Sequence, residues 1–238
     1  MLGSRYAMWM GYGDDLNFFY NDAYAAATLG QKRPWALGRP ATEVWAEISD
    51  QIGPRVEHVC RTGEATYDEG LLLFLGRTGY PEETYHSFSY SPVPGEKAGE
   101  ITGLFCVVVE ETGRVINERR LALLRDLAAR LAEITGPEEV FAALLGCLRS
   151  AAKDFPFACL FQLDGDEPRA LGSAGFEGDP PDAWPFAQLL ARPAPITVEL
   201  AADRVWPTGP WKRPPTHALV LPIPRQGGGG WSARSSSG

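Results

Sequence analysis

The stretch from Glu111 to Ile134 reads as the longest uninterrupted helix in the chain. Leu121, Leu124, Leu127, Ala128, Leu131 and Ile134 recur at three- and four-residue steps, which places them on one face. A strand-rich segment precedes it, and a second helix with further strands follows. Any fold for this chain therefore has two compact segments joined by one long helix, which reads as a mechanical connector. Asn117, Leu121, Leu124, Ala128 and Leu131 fit the alternating spacing of a two-stranded seam. Asn117, read as an a position, favours a parallel, in-register pair at some cost in stability. Leu127 and Ile134 widen the face beyond such a seam, so the same stripe can also pack within the chain. We expect both: a homodimer seam near Asn117–Leu124 and domain packing near Leu127–Ile134.

Composition narrows the partners. The 238 residues admit one or two domains, and 45% hydrophobic with 22% charged residues is ordinary for a globular protein. A net charge of −8 argues against nucleic acid or an anionic membrane surface, because binding phosphate needs a positive field. No apolar run approaches the roughly 18 residues of a membrane span. The opening residues, MLGSRYAMWMGYGDD, reach polar turn residues too soon for a secretory signal, so a cytoplasmic location is expected. Cys60, Cys106, Cys147 and Cys159 form no C-x-x-C pair, and no metal site is expected from them. Cys106 in LFCVVV and Cys159 in FACLF read as small buried hydrophobes.

Ahead of the long helix, residues 6–21 read as a β-hairpin: apolar Tyr6–Tyr12, a Gly13-Asp14-Asp15 turn, then LNFFYN. Asn21 and Asp22 offer a helix start that Gly30 ends. Thr42 is placed as the N-cap of a helix running to about Arg61, with Val44, Ile48, Ile52, Val56 and Val59 as its apolar stripe. Pro54 falls inside that helix and is expected to kink or split it. Thr62-Gly63 ends it, and three strands follow: Ala65–Leu75, Glu82–Val93 and Glu100–Glu110. In the second, His86, Phe88 and Tyr90 alternate with Tyr85, Ser87 and Ser89. The GLFCVVV run of the third suits a central strand covered on both faces. Hairpin-type links between the strands predict one antiparallel sheet with its helices grouped between strands two and three, an α+β arrangement.

Thr112 is placed as the N-cap of the long helix. Thr135 and Glu138 have capping-box spacing for a second helix, with Val140, Phe141, Leu144, Leu145 and Leu148 on one face. Phe155–Leu163 and Pro168–Gly175 read as paired strands around an Asp164-Gly165-Asp166 turn. The proline-dense residues 178–215 offer ITVEL at 196–200, and His217–Pro224 is a last short strand. QGGGGWSARSSSG (226–238) is too polar to order itself.

In combination these residues resemble a PAS domain. The matching features are YNDAY (Tyr20–Tyr24), WALGRP (Trp35–Pro40), TYHSFSYSPV (Thr84–Val93) and EITGLFCVVVEET (Glu100–Thr112). Glu110-Glu111-Thr112 stands where an Asp-x-Thr usually closes the domain. The combination is similar to input domains of multidomain bacterial sensor histidine kinases. From about Leu121 the chain resembles the start of a GAF domain, stopping early. The resemblance implies a PAS-like sensor at 1–112, a connector helix at 113–135, a partial GAF-like α/β segment at 136–225 and a disordered tail at 226–238. It also implies a signal passed through the connector to a downstream kinase or output domain. The leading helix usual in the family has no counterpart before Tyr6. His58, His86 and His217 lack the context of a phosphoacceptor, and GGGG at 227–230 lacks the Lys-Ser/Thr of a phosphate loop, so this chain is not expected to phosphorylate by itself.

Candidate sites follow from the resemblance and the pattern. Trp45, Ile48, Ile52, His86, Phe88, Tyr90 and Phe105 are the expected pocket residues between sheet and helices, and the same types serve equally as packed core. His58 falls roughly 100–120° from the centre of its helix's apolar stripe, against a role as axial haem ligand. His86 faces either a cavity or a neighbouring side chain within the sheet. No cysteine lies in residues 25–42, against light-driven flavin chemistry. The cofactor is left unknown. Asp68-Glu69 and Glu82-Glu83 read as solvated acids at strand edges, each pair diverging to opposite faces. No catalytic residue is assigned. The expectation is a signalling input module that dimerises through its connector. The alternative is a stand-alone module binding a small molecule or a protein, with no kinase coupled to it.

Overall fold

The computed structural model describes residues 1–134, 136–164, 167–178, 181 and 184–223. Contacts divide the chain into two compact units, Met1–Arg120 and one beginning at Leu121.

In the first unit, β1 (Ala7–Tyr12) and β2 (Asn17–Tyr20) form the expected hairpin, with Trp9 opposite Tyr20. Asn21 then ends the sheet and starts the helices. Its side-chain oxygen accepts from the Tyr24 N–H (2.9 Å) and the Met8 N–H (3.1 Å), and its amide donates to Tyr6 O (2.8 Å). An amide so fully bonded can be buried without penalty, and Asn21 is buried. The segment that follows is a string of short turns rather than one helix. It comprises α1 (Asp22–Tyr24), a π turn at Ala25–Leu29, a 3-10 turn at Gly30–Lys32, α2 (Arg33–Ala36), α3 (Ala41–Val44) and a 3-10 turn at Ala46–Ile48. The first long helix is α4 (Ser49–Thr62).

The helix expected from Thr42 to Arg61 is thus corrected. Its first turn starts at Ala41 after Pro40, without a Thr42 cap, and the break falls at Trp45 and Ile48. Those residues leave the helical region (φ/ψ −116°/37° and −120°/10°), while Pro54 lies inside α4. Gly63 ends α4 in the left-handed conformation (φ 72°), its N–H bonding Val59 O.

β3 (Thr66–Leu75), β4 (Glu82–Pro94) and β5 (Ile101–Glu110) complete an antiparallel sheet in the order β2-β1-β5-β4-β3. All helices before the long connector lie between strands two and three in the chain. This is the PAS-type α+β architecture that the resemblance implies. The inner face presents Trp9, Leu73, Phe88, Tyr90, Leu104, Cys106 and Val108 to Tyr24, Leu29, Val44, Trp45, Ile48, Ile52 and Val59 from the helical side, all buried in one cluster. Each such large side chain contributes roughly 1.5–3 kcal/mol of burial free energy.

β5 is central but not covered on both faces. Leu104, Cys106 and Val108 are buried, while Phe105 and Val107 are half-buried and Val109 is exposed. The pleat alone explains the difference: alternate side chains leave the core even when every one is apolar.

α5 (Thr112–Ala132) is the long helix. It begins at Thr112 itself, so Thr112 is its first residue and not its N-cap. In the second unit, α6 (Pro137–Ser150) lies on the hairpin β6 (Ala158–Asp164) and β7 (Glu167–Ala174). α7 (Phe186–Ala191) and a second hairpin, β8 (Ile196–Glu199) with β9 (His217–Val220), follow. The two hairpins are separate two-stranded sheets. Thr135, Gly165, Asp166 and the tail at 226–238 lie outside the described residues. Among the described residues no helix is long and apolar enough to cross a membrane.

Candidate functional site

Two spaces lie side by side in the first unit. The inner one, about 30 Å³, sits between sheet and helices and has room for a single water. Six of the expected pocket residues, Trp45, Ile48, Ile52, His86, Phe88 and Tyr90, line it. Phe105 does not. It belongs to the outer face of β5, one residue out of phase with Leu104 and Cys106, and is corrected here. Trp9, Tyr24, Thr28 and Cys106 line the cavity as well. Sequence reasoning missed Trp9 because Met8, Trp9 and Met10 are all apolar and mark no face. Only the pairing of Trp9 with Cys106 turns it inward.

The outer space is a cleft of about 420 Å³, in the size range of small-ligand sites. One wall is a face of α4: Ser49, Ile52, Gly53, Val56 and Cys60 recur at helical spacing. The apolar stripe read from the sequence therefore divides. Val59 enters the core, while Val56 and Cys60 are half-buried along the cleft. Trp9, Trp45 and Ile52 line both spaces and form the partition between them. The Trp45 ring carries Lys32 Nζ 4.2 Å above it, and that ammonium donates to Val44 O (2.6 Å) and Glu47 Oε1 (2.5 Å). The Trp45 indole N–H is buried without a hydrogen bond of normal geometry. It lies near the Tyr24 phenol, whose pKa burial raises and this contact moderates.

His86 faces inward and is 2% exposed. Neither ring nitrogen has a hydrogen-bond partner, and Glu110 Oε2 lies 3.9 Å from Nε2. Burial pulls the imidazole below its ordinary 6.5, Glu110 opposes this, and Arg77 adds to it. Glu110 is the hub of a clamp on the root of α5. Arg77 grips it bidentately (2.7 and 2.8 Å) and also donates to Glu82 (3.1 Å) and to Ala27 O (2.8 Å). Thr112 Oγ1 donates to Glu110 (2.9 Å) and accepts from the Tyr85 N–H (3.0 Å). Burial alone would raise the Glu110 carboxyl, but the Arg77 and Thr112 hydrogen bonds outweigh it and hold the group below its usual value. Two turns further along, Arg119 donates to Glu83 (2.6 Å).

Of the paired acids only Glu69 is exposed as a solvated edge; Asp68, Glu82 and Glu83 are not. Asp68 takes Arg55 in a two-bond fork (2.6 and 2.5 Å), while Glu82 and Glu83 serve different arginines on diverging sides of β4. The β3–β4 loop is held close by backbone as well. Gln31 N–H donates to Arg77 O, and a Cβ on Gly30 (φ 52°) would collide with that carbonyl.

His58 is half-exposed on α4, its ring 3.6 Å from Glu64, away from both spaces. Cys106 is buried and Cys159 half-buried, all four cysteines being free thiols. Among the described residues no cluster of three His, Cys, Asp or Glu could hold a metal. On α5 the five positions read as a seam, Asn117, Leu121, Leu124, Ala128 and Leu131, are all exposed and Leu127 is half-buried, while Ile134, also half-buried, falls beyond the end of the helix at Ala132. The four-residue step from Asn117 to Leu121 is a d-to-a step, which puts Asn117 at a d position and corrects the a assignment.

No family model matches the sequence, and no curated protein matches it. Solved structures with a similar fold include a sensory box sensor histidine kinase from Vibrio cholerae (13% identity, TM-score 0.33, covering 44% of this chain and 77% of that one). The PAS domain of BvgS from Bordetella pertussis is similar at 19% identity and TM-score 0.38, over 52% of this chain and 89% of that one. The LOV domain of a blue-light activated histidine kinase from Erythrobacter litoralis is similar at 15% identity and TM-score 0.36, over 45% and 96%.

Proposed function

We propose that the chain is a sensory input module of a bacterial signalling protein of the sensor-histidine-kinase type. Its first unit detects a signal and passes it through α5 to an output domain. The observation that carries this reading is the clamp: the central strand β5 runs directly into α5, and Glu110 and Thr112 bond the helix root to Arg77 and to β4. A shift of the Trp45–Ile52 partition moves the inner cavity that holds His86, and His86 is the inner-face neighbour of Glu110. Sensing space and helix root are therefore in mechanical contact through named side chains.

The output arm is a parallel homodimer of α5. The exposed series Asn117, Leu121, Leu124, Ala128 and Leu131 supports a second copy as its occupant, since steps of four and three residues match another helix. The second unit is read as a GAF-like segment. Its helix followed by paired strands agrees with that order.

The test is native mass spectrometry of the purified chain, with hydrogen exchange across Thr112–Ala132. A dimer is expected, with Asn117→Asp weakening it about tenfold or more because two charges would share the seam. A monomer, or a dimer indifferent to Asn117→Asp, rejects the seam. A second reading, a stand-alone small-molecule-binding module, is favoured by the cleft. It prevails if a ligand binds and exchange in α5 does not change.

A further inference from the structure

We propose that the cleft beside α4 takes a small organic cation, an amine or quaternary ammonium on an aromatic or aliphatic body. The inference deepens the reading of the first unit as a ligand sensor and rests on it. The cleft has an apolar floor and an acidic rim. Trp9, Trp45, Ile52 and Val56 supply apolar surface, and the charged residues lining it are Asp14 and Glu57, both acids. No lysine or arginine lines it among the described residues. Both carboxylates are exposed, and among the described residues neither side chain is engaged in a hydrogen bond or ion pair. The partly buried acids of this unit are taken up by cations, Glu47 by Lys32, Asp68 by Arg55, Glu82 and Glu110 by Arg77, Glu83 by Arg119, whereas Asp14 and Glu57, like other exposed acids such as Asp15 and Asp50, are not. What sets Asp14 and Glu57 apart is their place on the rim of an apolar cleft lined by no cation among the described residues, where both are open to a cation from outside.

The floor also says where the charge goes. One face of Trp45 already carries the Lys32 ammonium, so a second cation is disfavoured there. The ligand's apolar body lies along Ile52 and Val56 toward the tryptophans, and its ammonium sits at the rim with Asp14 and Glu57. An anion of the same shape meets two unpaired carboxylates and is disfavoured.

Three closely matched probes on the same phenylpropyl frame test this on the full chain by isothermal titration: 3-phenylpropylammonium, 3-phenylpropan-1-ol and 3-phenylpropionate. The cation is expected to bind about tenfold more tightly than the anion, with the alcohol between, as exposed ion pairs of this kind give only modest factors. Asp14→Asn with Glu57→Gln should bring the three within about twofold while leaving the alcohol unchanged. Gly53→Leu, at a helical position where a Cβ meets open space, should block all three. Val56→Phe is the second blocking variant should the first not fold. An anion that binds as well as the cation, no binding by any probe, or a preference that survives neutralising both acids overturns the proposal. Oligomeric state is read on the same samples. Cation binding with a monomer rejects the dimer seam and keeps this inference, whereas a dimer without cation binding does the reverse.

Discussion

The two units solve the same problem of burial differently. The first closes five strands and a row of helical turns over one continuous cluster that runs from Trp9 to Val108. The second divides its strands into two hairpins, and its buried apolar residues are Leu145, Cys147, Ala174, Leu189, Leu200 and Trp206 among those described. A two-stranded sheet cannot shield a face of its own, so the second unit depends on what lies against each hairpin. Leu145 of α6 lies on Gly172 of β7, and Trp206 gathers Phe157 (5.4 Å), Phe176 (6.3 Å) and Trp184 (6.3 Å). The contrast separates a unit whose core can host a buried, unpartnered histidine from one held by a few large rings.

Core truncations test that contrast most severely. Phe18→Ala should cost the first unit about 3–5 kcal/mol, because Phe18 is fully buried and touches Trp9, Tyr20 and Tyr24. Trp206→Ala should cost the second unit less than half of that in urea unfolding of the same chain, since neighbours around a thin core can collapse into the space. Equal losses would break the comparison.

The next largest effect falls on the clamp. Arg77→Ala leaves Glu82 and Glu110 partly buried without their cation and should destabilise the first unit by about 2–3 kcal/mol. Faster hydrogen exchange should appear in the first turn of α5, and unchanged protection there would remove the clamp from the mechanism.

Acid sharpens the same difference. Below pH 6.5 the unfolded chain takes up a proton at His86 that the folded one resists, so stability falls as pH falls. Below pH 4.5 Glu110 acts in the same direction, because its folded pKa is depressed and its contribution is lost as pH falls through that value. Stability against pH for His86→Leu should lose the upper step and keep the lower. A wild-type profile flat from pH 7 to 5 would contradict this.

The smallest effect is expected at Arg39–Glu43, an exposed i,i+4 pair. Glu43→Ala should change the melting free energy by about 0.3–0.5 kcal/mol. A larger loss would mean that the helical turns ahead of α4 are held from their surface.

The sequence was informative wherever pattern and burial share a period. His86, Phe88 and Tyr90 could be put on one face because serines separate them, and they do face the cavity together. Phe105 was misplaced because β5 is apolar at successive positions, so no polar neighbour marked its phase. The break before α4 was assigned to Pro54 for its known chemistry, yet the chain turns at Trp45 and Ile48 to bring both into the core. The acids at 68, 82 and 83 looked solvated because their arginines lie thirteen, five and thirty-six residues away.

By itself the sequence determined the order of the strands, the antiparallel sheet with its helices between strands two and three, the long α5 and the face of β4 that carries His86. These follow from local periodicity and turn chemistry, which act over a few residues. Tertiary structure decided that Trp9 and Trp45 stand between a cavity and a cleft, that Glu110 joins Arg77 and Thr112 at the root of α5, and that Asp14 and Glu57 are the cleft's charges. These depend on strand register and on pairs of charges distant in sequence. Only the folded chain fixes which distant groups meet.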